Sequence, residues 1–293
     1  MQTRSSQPRR VAVAAHPSLP EAVVEAARVC DFLKKAGLNT ITCQSLHDGE
    51  LRRKAAGGAL DALVALGGDG TMLRAGRLCA PLGVPVLGIN VGRFGFLAEV
   101  QRDEWLELLP RFLSGNYWLE ERMLLNVEHW RGSTLMGKWV ALNEVVVCRG
   151  QFVRPLTLHA LVDGYRLASY VADGLIAATP TGSTAYALAA GGPILPPELR
   201  NILIIPVAPH LSIDRAVILP QGAAVTIHAN TKYEASLSVD GQAPESVLDG
   251  DETRVTAANF SASFVRFQEP GYFYRNITRY MEQNPVTGND NER

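Results

Sequence analysis

Apolar residues in the first ninety positions concentrate in short runs, at 11–15, 60–66 and 84–90. The segments between them repeat apolar positions every three or four residues. Ala22, Val23, Ala26, Ala27, Cys30 and Leu33 share one face of a helix that opens at Pro20, and Gly37 stands where that helix should stop. A β-branched stretch at 40–43 adds a strand, and 72–80 reads as a further helix. Buried strands separated by helical segments imply a parallel sheet with crossover helices. Residues 11–120 are therefore expected to form an α/β domain.

After Glu120 the pattern changes to strands in succession. Short runs occur at 127–130, 139–148, 156–162, 167–171 and 175–179, then at 202–207, 216–219, 224–229, 236–239, 253–257 and 263–267. Asp163-Gly164, between two of these runs, is a strong hairpin signal. A β-rich domain over 121–270 is expected. Residues 1–10 read as a disordered tail. Residues 271–293 form a C-terminal segment with a helical pattern at 272–281 and a disordered end.

Composition adds limits. A hydrophobic share of 47% supports a real core, and 28 basic against 29 acidic residues leave a net charge of −1, which argues against a nucleic-acid-gripping surface. No run of about 18 apolar residues exists to span a membrane, and the polar, basic start lacks a signal-peptide core. Cys30, Cys43, Cys79 and Cys148 show no C-x-x-C spacing and read as reduced thiols. A cytoplasmic protein is expected, in which the Asn276-Ile277-Thr278 sequon is accidental.

The sharpest chemical feature is Leu63-Val64-Ala65-Leu66-Gly67-Gly68-Asp69-Gly70-Thr71: a buried strand, three glycines around one carboxylate, then a helix. Gly67, Gly68 and Gly70 let backbone N–H groups close on an anion, and the helix adds the positive end of its dipole. The carboxyl end of a parallel strand is where open α/β sheets bind ligands. A carboxylate beside phosphates is repelled unless it holds Mg²⁺ or accepts a proton, which marks Asp69. The plainer alternative is a tight turn with a helix-capping Asp.

Three further motifs carry weaker signals. Gly88-Ile89-Asn90-Val91-Gly92-Arg93-Phe94-Gly95 reads either as a degraded dinucleotide loop or as a structural turn. In Thr179-Pro180-Thr181-Gly182-Ser183-Thr184-Ala185-Tyr186, hydroxyls stand ready for phosphate or ribose and Tyr186 offers a flat face. A small-residue helix follows through Ala190; an ordinary N-cap is the alternative. Ser183 lacks the G-x-S-x-G frame of a hydrolase. Asn143-Glu144 interrupts the apolar run 139–148, which is costly unless the pair is exposed or bonded. Asp240-Gly241-Gln242 reads first as a hairpin turn, and 249–252 is too short for a calcium loop. His16 and His210 have no partners at ligand spacing, so no metal-binding residues are assigned.

Together, Gly67-Gly68-Asp69-Gly70-Thr71, Asn143-Glu144 and the long 179–186 motif resemble the NAD kinase family in order and spacing, over about residues 11–273. The first motif is shared with phosphofructokinases and lipid kinases. The third, continuing through Gly191-Gly192-Pro193-Ile194, is far more specific. The resemblance implies a Rossmann-like α/β domain followed by a β-sandwich-like domain. It implies transfer of a phosphoryl group from ATP, or another donor, to the adenosine ribose 2′-hydroxyl of NAD, giving NADP. Mg²⁺ or another divalent cation would be bound with the phosphates. The partners implied are small nucleotides and further copies of the chain, as a dimer or tetramer, with no nucleic acid and no membrane.

Residue by residue, Asp69 matches the family's proton acceptor, within Gly67, Gly68, Gly70 and Thr71. Arg74 matches a basic nucleotide contact, Asn143 and Glu144 the pair that binds the dinucleotide, and Asp173 the acid of a D-G motif. Thr181 and Ser183 belong to the specific motif, and Thr184, Ala185, Tyr186, Ala187, Leu188 and Ala189 match the stretch lining the adenosine side. Gln242 matches a late ligand contact. Two departures stand out. Val171 replaces an Arg common two residues before the D-G motif, and the segment 210–216 keeps His210 and Arg215 but loses a proline.

The competing readings are a diacylglycerol- or sphingosine-type lipid kinase and a non-catalytic dinucleotide sensor. The first would want a G-T-x-N-D-like run, which is absent, and the second has no use for Asp69. A phosphofructokinase would want a T-x-D-N-D-like run, and a dehydrogenase a complete glycine fingerprint.

Overall fold

In a computed structural model, residues 7–43, 46, 53, 57, 58, 60–92, 95–152, 154–210 and 214–283 are described. The chain divides into two compact units, one of residues 1–121 with 262–293 and one of residues 122–261.

The first unit opens with β1 (Arg10–Ala15), α1 (Pro20–Lys35), β2 (Asn39–Cys43), β3 (Ala62–Gly67), α2 (Asp69–Cys79), β4 (Val86–Asn90), β5 (Val100–Gln101) and α3 (Trp105–Leu113). The strands form a parallel sheet in the order β4-β3-β1-β2. Val11 to Ala14 and Leu63 to Leu66 are fully buried, as expected of parallel strands covered on both faces. Helix α1 lays Ala22, Ala26, Val29, Cys30 and Leu33 against Val11, Val13, Val64 and Leu66. It ends in a Schellman arrangement: the N–H of Leu38 donates to Leu33 O at 3.1 Å and that of Gly37 to Lys34 O at 2.9 Å, with Gly37 at φ +86°. Helix α3 was not foreseen from the sequence; it buries Trp105, Leu109 and Phe112 at helical spacing and carries Pro110 inside. The tail expected over 1–10 has residues 1–6 outside the described part, whereas Arg9 and Arg10 both donate backbone N–H to Asp61 Oδ2, at 2.8 and 2.9 Å.

The second unit contains β6 (Trp118–Arg131), which begins in the first unit, then β7 (Thr134–Ala141), β8 (Glu144–Arg149), β9 (Leu156–Val162), β10 (Tyr165–Ala172), β11 (Gly174–Ala178), α4 (Tyr186–Ala189), β12 (Asn201–Val207), β13 (Val217–Pro220), β14 (Val225–Asn230), β15 (Ala235–Val239) and β16 (Glu245–Val247). The chain then runs along β17 (Glu252–Arg266), which ends in the first unit, and closes with α5 (Tyr272–Gln283). One sheet is antiparallel throughout, in the order β13-β12-β11-β8-β15-β16. It faces a second layer in which β14 pairs with β9 and with residues 252–255 of β17. Val145, Val147, Leu175, Ala177 and Leu237 of the first layer share one core with Leu125, Leu158, Tyr170, Ile227 and Val255 of the second. Alternate residues of the same strands, Val146, Ile176 and Leu203, face the other way and are covered by Ala187 and Leu195. This is the period-two alternation of a sandwich.

Asp163-Gly164 makes the expected two-residue turn, with φ of 52° and 82°. Three local expectations are corrected. The run 139–148 is two strands with a corner at residues 142–143, because the polar pair is bound there by a side chain described below. The runs at 253–257 and 263–267 are one long strand, β17. In place of one small-residue helix to Ala190 there is a 3-10 turn over Thr181–Thr184 followed by the single turn α4. The last expected disordered residues, 284–293, lie outside the described part, as do 211–213 of the altered segment.

The packing of α2 against β4 rests on the absence of a side chain. A Cβ on Gly88 would come within 2.7 Å of Met72 Sδ and 3.2 Å of the Ala98 backbone. Gly88→Ala is expected to destabilise the first unit by about 1–3 kcal/mol through overpacking, seen as a lower thermal midpoint by calorimetry; an unchanged midpoint would refute this close fit.

Candidate active site

Strand β3 delivers its chain directly into the glycine loop. A Cβ on Gly67 would lie 2.8 Å from Thr71 Cβ, so the turn closes only around glycine. Gly68 is the N-cap of α2, and its carbonyl accepts from the N–H of Thr71 at 2.9 Å and of Met72 at 3.2 Å. Helix α2 begins at Asp69 itself, three residues earlier than the apolar period suggests. Asp69 does not cap this helix: no side-chain cap is made there. Instead its Oδ2 accepts the N–H of Phe96 at 2.9 Å and its Oδ1 that of Leu97 at 3.1 Å. Gly95 permits the approach, since a Cβ there would sit 2.5 Å from the carboxylate carbon. The glycines of 88–95 are therefore structural in two identifiable ways, one seating Met72 and one seating Asp69; Arg93 and Phe94 lie outside the described residues.

Asp69 remains half-buried, with Gly70 exposed beside it and Arg74 exposed farther along α2. Each carboxylate oxygen carries two lone pairs and uses one on a backbone N–H, which leaves both able to accept a proton. The hydroxyl of Thr71 is buried and has no hydrogen-bond partner among the described residues.

In the second unit the remaining motifs converge on the corner between β7 and β8. The turn Asp240-Gly241, with φ of 46° and 64°, is closed by the N–H of Gln242 donating to Val239 O at 3.0 Å. The hairpin reading of 240–242 is thus right about the backbone. The Asp240 carboxylate does more: it accepts the N–H groups of Leu142 at 2.8 Å, Asn143 at 2.8 Å and Glu144 at 2.9 Å. Three donors on one carboxylate bend the chain and set Asn143 and Glu144 side by side. Gly182 packs on the same corner so closely that a Cβ would lie 2.5 Å from the Asn143 carbonyl carbon. Thr179 completes the join, receiving nothing from solvent: its N–H donates to Asn143 O at 2.8 Å and its hydroxyl to Leu142 O at 2.6 Å.

The hydroxyls of 179–186 divide into two kinds. Ser183 is fully buried, donates to Pro180 O at 2.6 Å and accepts the N–H of Leu195 at 2.9 Å, so it folds its own segment. Thr184 donates to Thr181 O at 3.1 Å. Thr181 accepts from Arg122 Nη1 at 3.3 Å, and Tyr186 exposes 45% of its surface. Ala185, Leu188 and Ala189 are partly or fully exposed, while Ala187 is buried in the outer core. Asp173 pairs with Arg149 at 3.1 Å, and the Gln242 amide donates to Val239 O at 3.0 Å.

Glu144 is the electrostatic anomaly. It is 8% exposed, and burial, followed by the nearby Asp240 charge, pushes its carboxyl up to about 8 against the opposing N–H of Tyr186. Its Oε2 is buried without a hydrogen-bond partner among the described residues. The raised value favours the protonated carboxyl, which has an O–H able to donate as well as an oxygen able to accept.

The contacts made by Asp240 and Gly95 escaped the sequence reading, as did Arg122 altogether. Asp-Gly after a strand signals a turn and hides the second use of the carboxylate. Arg122 carried one signal, a charge immediately before the apolar run Met123-Leu124-Leu125. Among the described residues no group of three His, Cys, Asp or Glu could hold a metal ion, Cys30, Cys79 and Cys148 form no disulfide, and no helix is long and apolar enough to cross a membrane.

Comparison with known proteins covers both units. Residues 49–117 match the ATP-NAD kinase N-terminal domain and residues 142–267 the ATP-NAD kinase C-terminal domain. The chain is 36% identical over 274 residues to a NAD kinase of Chloroflexus aurantiacus, covering 94% of this chain and 99% of that one. It is 37% identical over 281 residues to a NAD kinase of Heliobacterium modesticaldum, covering 93% and 98%. Yeast NADH kinase complexed with NADH shares its fold, with a TM-score of 0.83 at 24% identity over 98% of this chain and 90% of that one. A NAD kinase from Archaeoglobus fulgidus in complex with ATP has a TM-score of 0.72 at 26% identity, over 92% and 98%. Relatives this similar along nearly their whole length show that the chain belongs to the NAD kinase family.

Proposed function

We propose that this chain transfers the terminal phosphoryl group of ATP to the 2′-hydroxyl of the adenosine ribose of NAD, with Asp69 accepting the hydroxyl proton. The observation that carries the assignment of the base is the carboxylate clamped by Phe96 and Leu97 while its remaining lone pairs stay accessible. As the ribose oxygen bonds to the γ-phosphorus, the bond to the β-phosphate oxygen breaks, ADP leaves and Asp69 holds the proton. Such a positioned base is worth typically about 10²–10⁴-fold. The transition state is loose, so orientation and charge neutralisation dominate the rest.

The N-terminus of α2, with the exposed Gly70 and the basic Arg74, suits the phosphate groups. No cluster of carboxylates stands ready as a cation cage among the described residues. Mg²⁺ would be held chiefly by the substrate phosphates, with one or two carboxylates at most. Held with the phosphates at the Gly67–Thr71 loop, it would supply charge neutralisation for the transferring group. Asn143, Glu144, Asp173, Tyr186 and Gln242 are assigned to the dinucleotide, with Glu144 entering as the neutral acid. Thr181 is placed by Arg122, and the small residues that follow it leave room for a ring on Tyr186.

Asp69→Asn should abolish NADP formation from NAD, ATP and Mg²⁺ while NAD binding by calorimetry stays within about threefold; turnover within about tenfold of wild type would remove Asp69 from the base role. Gly95→Ala should lower kcat about 100-fold by displacing that carboxylate, with NAD affinity largely kept. The sign for Glu144 follows from its raised pKa. The folded state binds its proton more tightly than the unfolded chain, so stability falls as pH rises from about 4.5 to about 8. Glu144→Gln should therefore stabilise the protein more at pH 8 than at pH 5, and NAD affinity should weaken above pH 8 in the wild type but not in Glu144→Gln. Equal melting shifts at both pH values would show that Glu144 ionises normally.

A further inference from the structure

Leu97 is gripped at both ends. Its N–H donates to Asp69, and its carbonyl accepts from Arg266 Nη1 at 2.8 Å. Arg266, at the end of β17, is fully buried within the first unit. Its Nε donates to Glu120 Oε2 at 2.8 Å, and Nη2 lies 2.7 Å from the same oxygen as an ion-pair contact. Tyr272 donates its hydroxyl to Glu120 at 2.9 Å, and the rings of Tyr272 and Phe264 lie 5.1 and 5.4 Å from the guanidinium carbon. Glu99 accepts the N–H groups of Phe267 at 3.0 Å and Gln268 at 2.6 Å, which ties down the strand immediately beyond Arg266.

A buried ion pair of this kind is weak evidence for stability, because apolar residues of similar volume often serve as well. What apolar residues cannot supply is the planar fork that holds a carboxylate on one side and a backbone carbonyl on the other. The carbonyl it holds belongs to the residue whose N–H orients Asp69.

We infer that Arg266 is a positioning residue for the phosphoryl transfer, fixing the 95–97 loop through Leu97 so that Asp69 is presented in one orientation. Arg266 touches neither substrate nor reacting atoms in this scheme. The inference rests on the reading of Asp69 as the base.

Three variants assayed side by side separate the two ideas. Arg266→Lys keeps the charge for Glu120 but loses the fork. It should lower kcat about 10–100-fold, as expected of a misplacement of order 1 Å, with KM for NAD and ATP within about twofold. Val265→Ala, a cavity at the adjacent position of the same strand, should lower the melting temperature and leave kcat unchanged. Asp69→Asn tests the base alone: if it retains turnover, the reading of Asp69 fails, whatever Arg266 does. If Asp69→Asn is inactive but folded Arg266→Lys keeps kcat within about twofold, or if Val265→Ala loses as much kcat, the positioning role is overturned. Amide hydrogen exchange of the wild type decides the point should Arg266→Lys not fold. The amides of Phe96 and Leu97 should exchange as slowly as those of Leu63 to Leu66 in β3, and exchange about a hundredfold faster would show that Arg266 does not anchor the loop.

Discussion

The contact on which the chemistry proposed for the first unit depends is a carboxylate bonded to two consecutive backbone N–H groups, Asp69 to Phe96 and Leu97. A carboxylate at the first position of a helix ordinarily has its own helix to bond. Here it is turned across to the loop after β4, and glycine is required on both sides for it to arrive. Gly67 lets the turn close over Thr71, and Gly95 leaves space for the carboxylate itself. Two bonds to consecutive N–H groups of the loop after β4 restrict the side chain's rotation. That is the condition under which a base can contribute through geometry as well as basicity.

The second unit solves a related problem with a different economy. Asn143 and Glu144 would be costly inside a continuous strand, and the chain avoids that by ending β7 at Ala141 and starting β8 only at Glu144. Asp240 makes the corner by taking three N–H groups on one carboxylate, and Gly182 allows the 179–186 segment to lie against it. The same arrangement perturbs Glu144. Buried and beside the charge of Asp240, it retains its proton to a pH of about 8. A group held neutral in this way donates a hydrogen bond where an ordinary carboxylate only accepts.

Both sites are therefore built from pairs of residues that are distant in sequence. Asp69 and Leu97 are 28 positions apart, and Asp240 and Leu142 are 98 apart. The local pattern contains no trace of such pairings. It did contain the strands with continuous apolar runs, the helix from Pro20 to the Gly37 stop, the Asp163-Gly164 hairpin and the glycine loop, since each depends on neighbours within a few residues. It misplaced the corner at 142–143 and split β17 in two, because in both places a distant partner, and not local periodicity, decides where a strand ends.

By itself the sequence determined the alternation of buried strands and helices up to Glu120 and the strand-rich remainder, because side-chain periodicity and glycine's conformational range act locally. It also placed Asp69 among the three glycines of the loop after the buried run at 60–66. Only the tertiary structure decided that residues 262–283 belong with the first unit, that the 88–95 glycines serve Met72 and Asp69, and that Ser183 folds its own segment. It alone shows Asp240, Arg122 and Arg266 behind the residues they position. The physical reason is the same throughout: a hydrogen bond to a buried carboxylate or guanidinium is settled by which strands lie side by side, and strand order is a property of the whole chain.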